Sequence, residues 1–161
     1  MQQLNEKGFI FSSFTPDPEM RQKILNSTTP NQEIRDYMFN VLKDMGLGIK
    51  EIELNYEDVR KGNSLLMHTH LIPADYQVLF WVPDNDDFEG RGFIYGTKDN
   101  IQVFYPKFGD ICFMKANDLN FIHGVEELHS ESLVRTVIVN VNNRAKLGEQ
   151  VTVRSSDYQV V

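Results

Sequence analysis

The spacing of apolar residues divides this chain into two regimes. Between positions 31 and 46, Ile34, Tyr37, Met38, Val41, Leu42 and Met45 recur at steps of three and four, which puts them on one face of a helix. Thr29-Pro30-Asn31-Gln32 ahead of this run has the capping-box form, and Gly46 supplies its end. A shorter helix is expected over 18–25, where Asp17 is placed to cap and Pro18 occupies the first helical position. One strand is expected at 8–14. The first third therefore reads as helical support around an early strand, with the apolar helix face packed on a sheet.

From Ile49 onward the period changes to two. Short runs bounded by Gly, Pro, Asn and Asp predict strands at 50–56, 64–70, 76–82, 92–96, 101–105, 110–114, 125–128 and 133–142. Such a series without intervening helices fits a mainly β fold, the double-stranded β-helix or jelly roll, in which two packed sheets share one interior. Another alternating run at 151–154 predicts an extra edge strand. The 161 residues, 41% of them hydrophobic, suit one domain. Within it 1–48 supply helical support, 49–143 the β core and 144–161 a tail.

Charge and composition narrow the function. The chain has 23 acidic against 16 basic residues, a net charge of -7 and no Lys/Arg run, which argues against nucleic acid as a bulk electrostatic partner. The N-terminus lacks a cationic start with a long apolar run, and no stretch approaches the roughly 18 apolar residues of a membrane span. The expectation is a cytoplasmic protein with no membrane partner. Cys112 is the one cysteine, so thiolate clusters within the chain are excluded and a metal must be held mainly by nitrogen and oxygen.

Candidate chemistry centres on histidine. His68-Thr69-His70 lies in a predicted strand, where alternate side chains share a face, so both imidazoles point the same way about 7 Å apart at the backbone. The pair suits one metal ion, although a His-x-His pair also occurs as surface decoration. Leu66, two residues earlier, would share its face and turn it toward an apolar interior. A third ligand must come from a distant strand, and His123, in Phe121-Ile122-His123-Gly124-Val125, is the candidate. His129 sits in a polar run and reads as surface.

In 133–142 the more apolar face carries Leu133, Arg135, Val137, Val139 and Val141, and it should point inward. An inward guanidinium stays charged and needs an acidic partner, either an internal carboxylate or that of a ligand. By alternation Tyr56 shares a face with Ile52 and Leu54, giving it either a place near the cavity or an ordinary core role. Tyr76 and Trp81 are candidate cavity walls. The loops around 57–63, 84–92 and 117–122 should frame the mouth of the site.

Over roughly residues 52–143 the chain resembles the Fe(II)/2-oxoglutarate-dependent oxygenases, and most closely their prolyl-hydroxylase-like branch. The resemblance rests on an ordered set: His68-Thr69-His70, the strand at 78–82, Asp86-Asp87-Phe88-Glu89-Gly90-Arg91-Gly92, Pro106-Lys107-Phe108-Gly109-Asp110, His123-Gly124-Val125 and Arg135. It implies that His68 and His123 hold Fe(II), that Arg135 pairs with the far carboxylate of 2-oxoglutarate, and that Tyr56 contacts the same co-substrate. It further implies a dioxygenase that hydroxylates a small molecule or peptide. The departure is His70, which stands where the family has a carboxylate, so the usual triad becomes three histidines, one positive charge richer and open to other divalent metals.

A cupin shares the architecture. Gly62, five residues and then His68-Thr69-His70 match the start of the first cupin motif, with Asp75 as a conceivable acidic ligand. Pro106 and Gly109 lie too far ahead of His123 for the second cupin motif. A binding module without turnover is the third alternative. Neither substrate nor oligomeric state is legible.

Overall fold

The computed structural model describes residues 2–142 and 158–160. Three helices and one strand come first: α1 (Gln2–Lys7), β1 (Phe9–Ser13), α2 (Pro18–Asn26) and α3 (Gln32–Asp44). Asp17 caps α2, its side chain accepting from the backbone N–H groups of Glu19 and Met20. Asn31 caps α3 by accepting from Ile34 N–H. The capping residue is therefore Asn31, two positions beyond the Thr29 of the expected box.

The strands that follow are β2 (Glu51–Arg60), β3 (Leu65–His70), β4 (Tyr76–Pro83), β5 (Phe93–Thr97), β6 (Asn100–Phe104), β7 (Asp110–Lys115), β8 (Ile122–Val125), β9 (Leu133–Asn142) and β10 (Tyr158–Val160). They form two antiparallel five-stranded sheets. The larger has the order β1-β7-β4-β9-β2 and the smaller β10-β3-β8-β5-β6. This is the expected jelly roll. The alternating run at 151–154 lies outside the described residues; the strand found in the tail is β10, paired with β3.

The molecule has three layers, and this decides where each strand face points. Met20, Ile24, Ile34, Met38 and Leu42 of the helices pack on Ile52, Leu54, Tyr76, Val78, Phe80, Val137, Val139 and Val141 of the large sheet. The other face of that sheet sends Leu79, Trp81, Cys112, Met114 and Ile138 against Phe93 of the small sheet. Val59 and Val134 meet Val125 and Leu128 in a third cluster. Burial of these side chains, at about 1.5–3 kcal/mol for each large one, drives the assembly. Among the described residues no helix is long and apolar enough to cross a membrane.

Two local departures shape the site. The register between β3 and β8 shifts between Leu65 and His68, a bulge that puts one extra residue into β3. Leu66 is consequently 74% exposed, not inward with the histidines as simple alternation requires; Leu65 takes the inward place. The strand carrying the third histidine is Ile122–Val125 rather than 125–128, so His123 sits in the ladder itself. Gly124 makes this possible: a Cβ there would lie 2.8 Å from Met67 Sδ and 2.9 Å from the carbonyl oxygen of Leu65, too close for any side chain.

Candidate metal centre

His68 and His70 project from β3, and His123 lies opposite His68 on β8. Ring centroids are 4.3 Å apart for His68 and His123, and 4.7 Å for His70 and His123. One nitrogen from each ring lies within 4.8 Å of the others. Ligation at about 2.0–2.3 Å asks for closer spacing still.

The outer nitrogens fix which atoms face the centre. His68 Nδ1 is 2.6 Å from the carbonyl oxygen of Leu66, an acceptor, so it carries a proton. His70 Nδ1 is 2.5 Å from Gln77 Oε1, while Gln77 Nε2 donates to Asn140 Oδ1 at 2.7 Å. The Nε2 atoms of His68 and His70 face one another 3.0 Å apart. Burial favours the neutral form of two of the rings: His70 is driven down to about 4, by desolvation first and by His68 second. His123 is held well below its ordinary value by desolvation, then by His70 and His68. Three imidazole nitrogens converging in an enclosed place fit a divalent first-row ion.

Beside the histidines lies a group that sequence reading missed as a site residue. Arg91 is 1% exposed and lines the same cavity as His70 and His123, with Glu57, Leu79, Trp81, Phe93 and Thr136. Its Nη2 donates to Thr136 Oγ1 at 2.8 Å. Its Nε and Nη1 have no hydrogen-bond partner, and neither has Trp81 Nε1. Burial brings the guanidinium down to about 10, opposed by the charge of Glu57. Desolvation raises the Glu57 carboxyl, with Arg91 and His68 pulling the other way. Arg91 also has a left-handed backbone, φ 57, which costs a non-glycine residue about 1–2 kcal/mol. The signal available in sequence was the pair Gly90 and Gly92 around a charged residue, ahead of a buried strand. The space between these side chains is small, with room for about one water.

Arg135 and Tyr56 are not in this cavity, which corrects their expected role. The most apolar face of β9 does point inward, but toward the helices. There Arg135 Nε and Nη2 donate to Asp58 Oδ1 and Oδ2 at 2.8 and 3.0 Å. Its Nη1 donates to the carbonyl oxygens of Ile24 and Ser27, both at 2.7 Å, closing the end of α2. Tyr56 lies under the guanidinium, 4.2 Å from ring centre to Cζ, with its hydroxyl 2.6 Å from Ser27 Oγ. The opposite face of β9, with Thr136, Ile138 and Asn140, looks toward the histidines. Tyr76 also turns to the helices, whereas Trp81 does line the cavity. His129 is exposed, near Glu127. Asp75 is not part of the histidine cluster.

No family model and no curated protein matches the sequence. Solved structures do match in shape. A prolyl-4-hydroxylase from Pseudomonas putida superposes with a TM-score of 0.61 at 12% identity, over 90% of this chain and 91% of that one. A prolyl hydroxylase from Trichoplax adhaerens, in complex with a hypoxia inducible factor peptide fragment, gives 0.67 at 13% identity over 88% and 86%. This chain has the fold of the 2-oxoglutarate–Fe(II) oxygenases. HygX from Streptomyces hygroscopicus, with nickel and 2-oxoglutarate bound, gives 0.60 at 10% identity over 86% and 84%.

Proposed function

We propose that this chain is a one-domain, metal-dependent oxygenase that takes Fe(II) at His68, His70 and His123 and 2-oxoglutarate as co-substrate, to hydroxylate a small molecule or peptide. The observation that carries the reading is the convergence of three imidazoles beside a cavity, lined by His70 and His123, in which Arg91 and Trp81 carry unpartnered buried donors. Buried N–H groups are rarely left without acceptors. A carboxylate supplies acceptor oxygens and offsets the charge of a guanidinium such as that of Arg91. When bound, the metal and 2-oxoglutarate supply the oxidising chemistry, in which O2 and 2-oxoglutarate are consumed and succinate and CO2 released as a C–H bond becomes C–OH.

The chain's own residues do the rest. The three histidines present lone pairs without adding negative charge, which favours anionic co-ligands. Arg91 and the Thr136 hydroxyl bind and orient the far carboxylate. Leu79, Trp81, Phe93 and Ile138 exclude bulk water. With room for one water, the cavity admits a dicarboxylate only when some of these side chains are displaced. That observation favours, as a second reading, a cupin-like three-histidine dioxygenase acting without 2-oxoglutarate. The test is anaerobic loading with Fe(II) followed by O2 and 2-oxoglutarate. Succinate above the level given by a His68→Ala, His123→Ala variant supports the first reading; metal uptake with no succinate under any substrate screened rejects it.

A further inference from the structure

A glutamine and an asparagine lie buried in the space between the sheets, where polar side chains are costly unless they serve each other or a site. Gln77 is 1% exposed and Asn140 7%. They face one another across the β4–β9 ladder on the large sheet, yet Gln77 reaches His70 on the small sheet at 2.5 Å. The contact thus crosses the interior of the roll from one sheet to a metal-ligating strand of the other.

The direction of the hydrogen bonds matters. Because Gln77 Nε2 donates to Asn140 Oδ1 at 2.7 Å, Gln77 turns its carbonyl oxygen to the imidazole and accepts the proton of His70 Nδ1. An imidazole fixed in this tautomer has Nε2 free for a cation. His68 obtains the same tautomer from its own chain, through the carbonyl of Leu66. At His70 the acceptor is a side chain, Gln77 Oε1. A carboxylate in place of Gln77 would also accept this proton, but it would add the negative charge that the three-histidine set omits.

We propose that Gln77, oriented by Asn140, is a positioning residue that holds His70 as a neutral Nε2 donor and thereby keeps the centre cationic toward anionic co-ligands. The proposal rests on the three-histidine reading of the centre. Loss of such a supporting partner weakens metal binding by about 10–100-fold.

The test uses Gln77→Leu and Gln77→Glu in the full chain, with two readouts: Co(II) affinity by titration, and the His70 tautomer by nitrogen NMR in metal-free and Zn(II)-loaded protein. The native chain should carry the proton on Nδ1 in both states. Gln77→Leu should lose that tautomer and bind Co(II) about 10–100-fold more weakly. Gln77→Glu should regain both tautomer and affinity while binding azide or acetate at the loaded metal more weakly than native. A Gln77→Leu protein with native tautomer and affinity overturns the proposal, as does a Gln77→Glu protein no better than Gln77→Leu. If Gln77→Leu does not fold, Asn140→Ala carries the same test, with a smaller loss of affinity expected and an unchanged tautomer and affinity overturning it. Should the native chain take up no Co(II), the metal reading fails by itself. The metal-free tautomer then decides for Gln77, where an Nδ1 proton present in native and absent in Gln77→Leu supports it and one present in both overturns it.

Discussion

Arg135 grips Asp58 with two parallel hydrogen bonds at 2.8 and 3.0 Å, on the side of the large sheet away from the histidines. Its role is to tie the end of α2 to β2 and β9. Arg135→Met should therefore destabilise the fold and leave metal affinity alone. Breaking a fully buried pair costs about 3–5 kcal/mol. Because Asp58 keeps 32% of its side chain in water, a smaller loss of about 2–3 kcal/mol is expected. Urea unfolding beside Co(II) titration reads both. A stable Arg135→Met protein that has lost co-substrate binding would reverse the assignment.

Arg91→Met should do the opposite. It removes a buried guanidinium whose Nε and Nη1 lack partners, but also the charge facing Glu57 and the hydrogen bond to Thr136, so the melting temperature should fall less than in Arg135→Met. Binding of 2-oxoglutarate to the metal-loaded protein should weaken by about 2–5 kcal/mol, the scale for truncating one side of a buried charge pair. Calorimetric titration under argon compares the two; equal affinities would remove Arg91 from the site.

Acid should unfold the metal-free protein through its histidines. His70 titrates near 6.5 when unfolded and near 4 when folded, so between these values the unfolded chain binds more protons. Its contribution is complete above pH 6.5 and lost as pH falls toward 4, at about 1.4 kcal/mol per pH unit. His123 carries the same sign to lower pH. Unfolding midpoints at pH 7, 5.5 and 4.5 should fall less steeply in His70→Leu than in native protein; coincident slopes would contradict the burial of a neutral His70.

Gly124→Ala should separate the two ligand strands. Its methyl would meet Met67 Sδ at 2.8 Å and the Leu65 carbonyl at 2.9 Å, part of it unyielding backbone. Overpacking of this kind costs about 1–3 kcal/mol. Metal affinity should fall as well, since His123 is the next residue. A variant with native stability and native Co(II) binding would show that β3 has room to move.

The jelly roll and the histidine trio were legible because they rest on period and order, which a single sequence displays. The inward turn of His68 and His70 was reached through Leu66, and that premise fails: the bulge after Leu65 breaks the alternation before the histidines, and nothing in Ser64 to Met67 announces it. Arg135 shows a different limit. Alternation separates the two faces of β9 correctly but does not say which core each one meets. In a helix–sheet–sheet stack the more apolar face meets the helices, and the site takes the mixed one with Thr136 and Asn140. Arg91 escaped because it belongs to a loop, where periodicity carries no information about direction.

The narrow room beside the histidines, walled by Leu79, Trp81 and Phe93, bears on what can reach them. A bare ion fits between imidazoles that already converge, whereas anything larger than water must wait for Trp81, Phe93 or a neighbour to swing aside. Entry of anything larger than the ion should then include the cost of moving part of this wall. Selection at this centre would begin with what that displacement costs, before any contact inside is made.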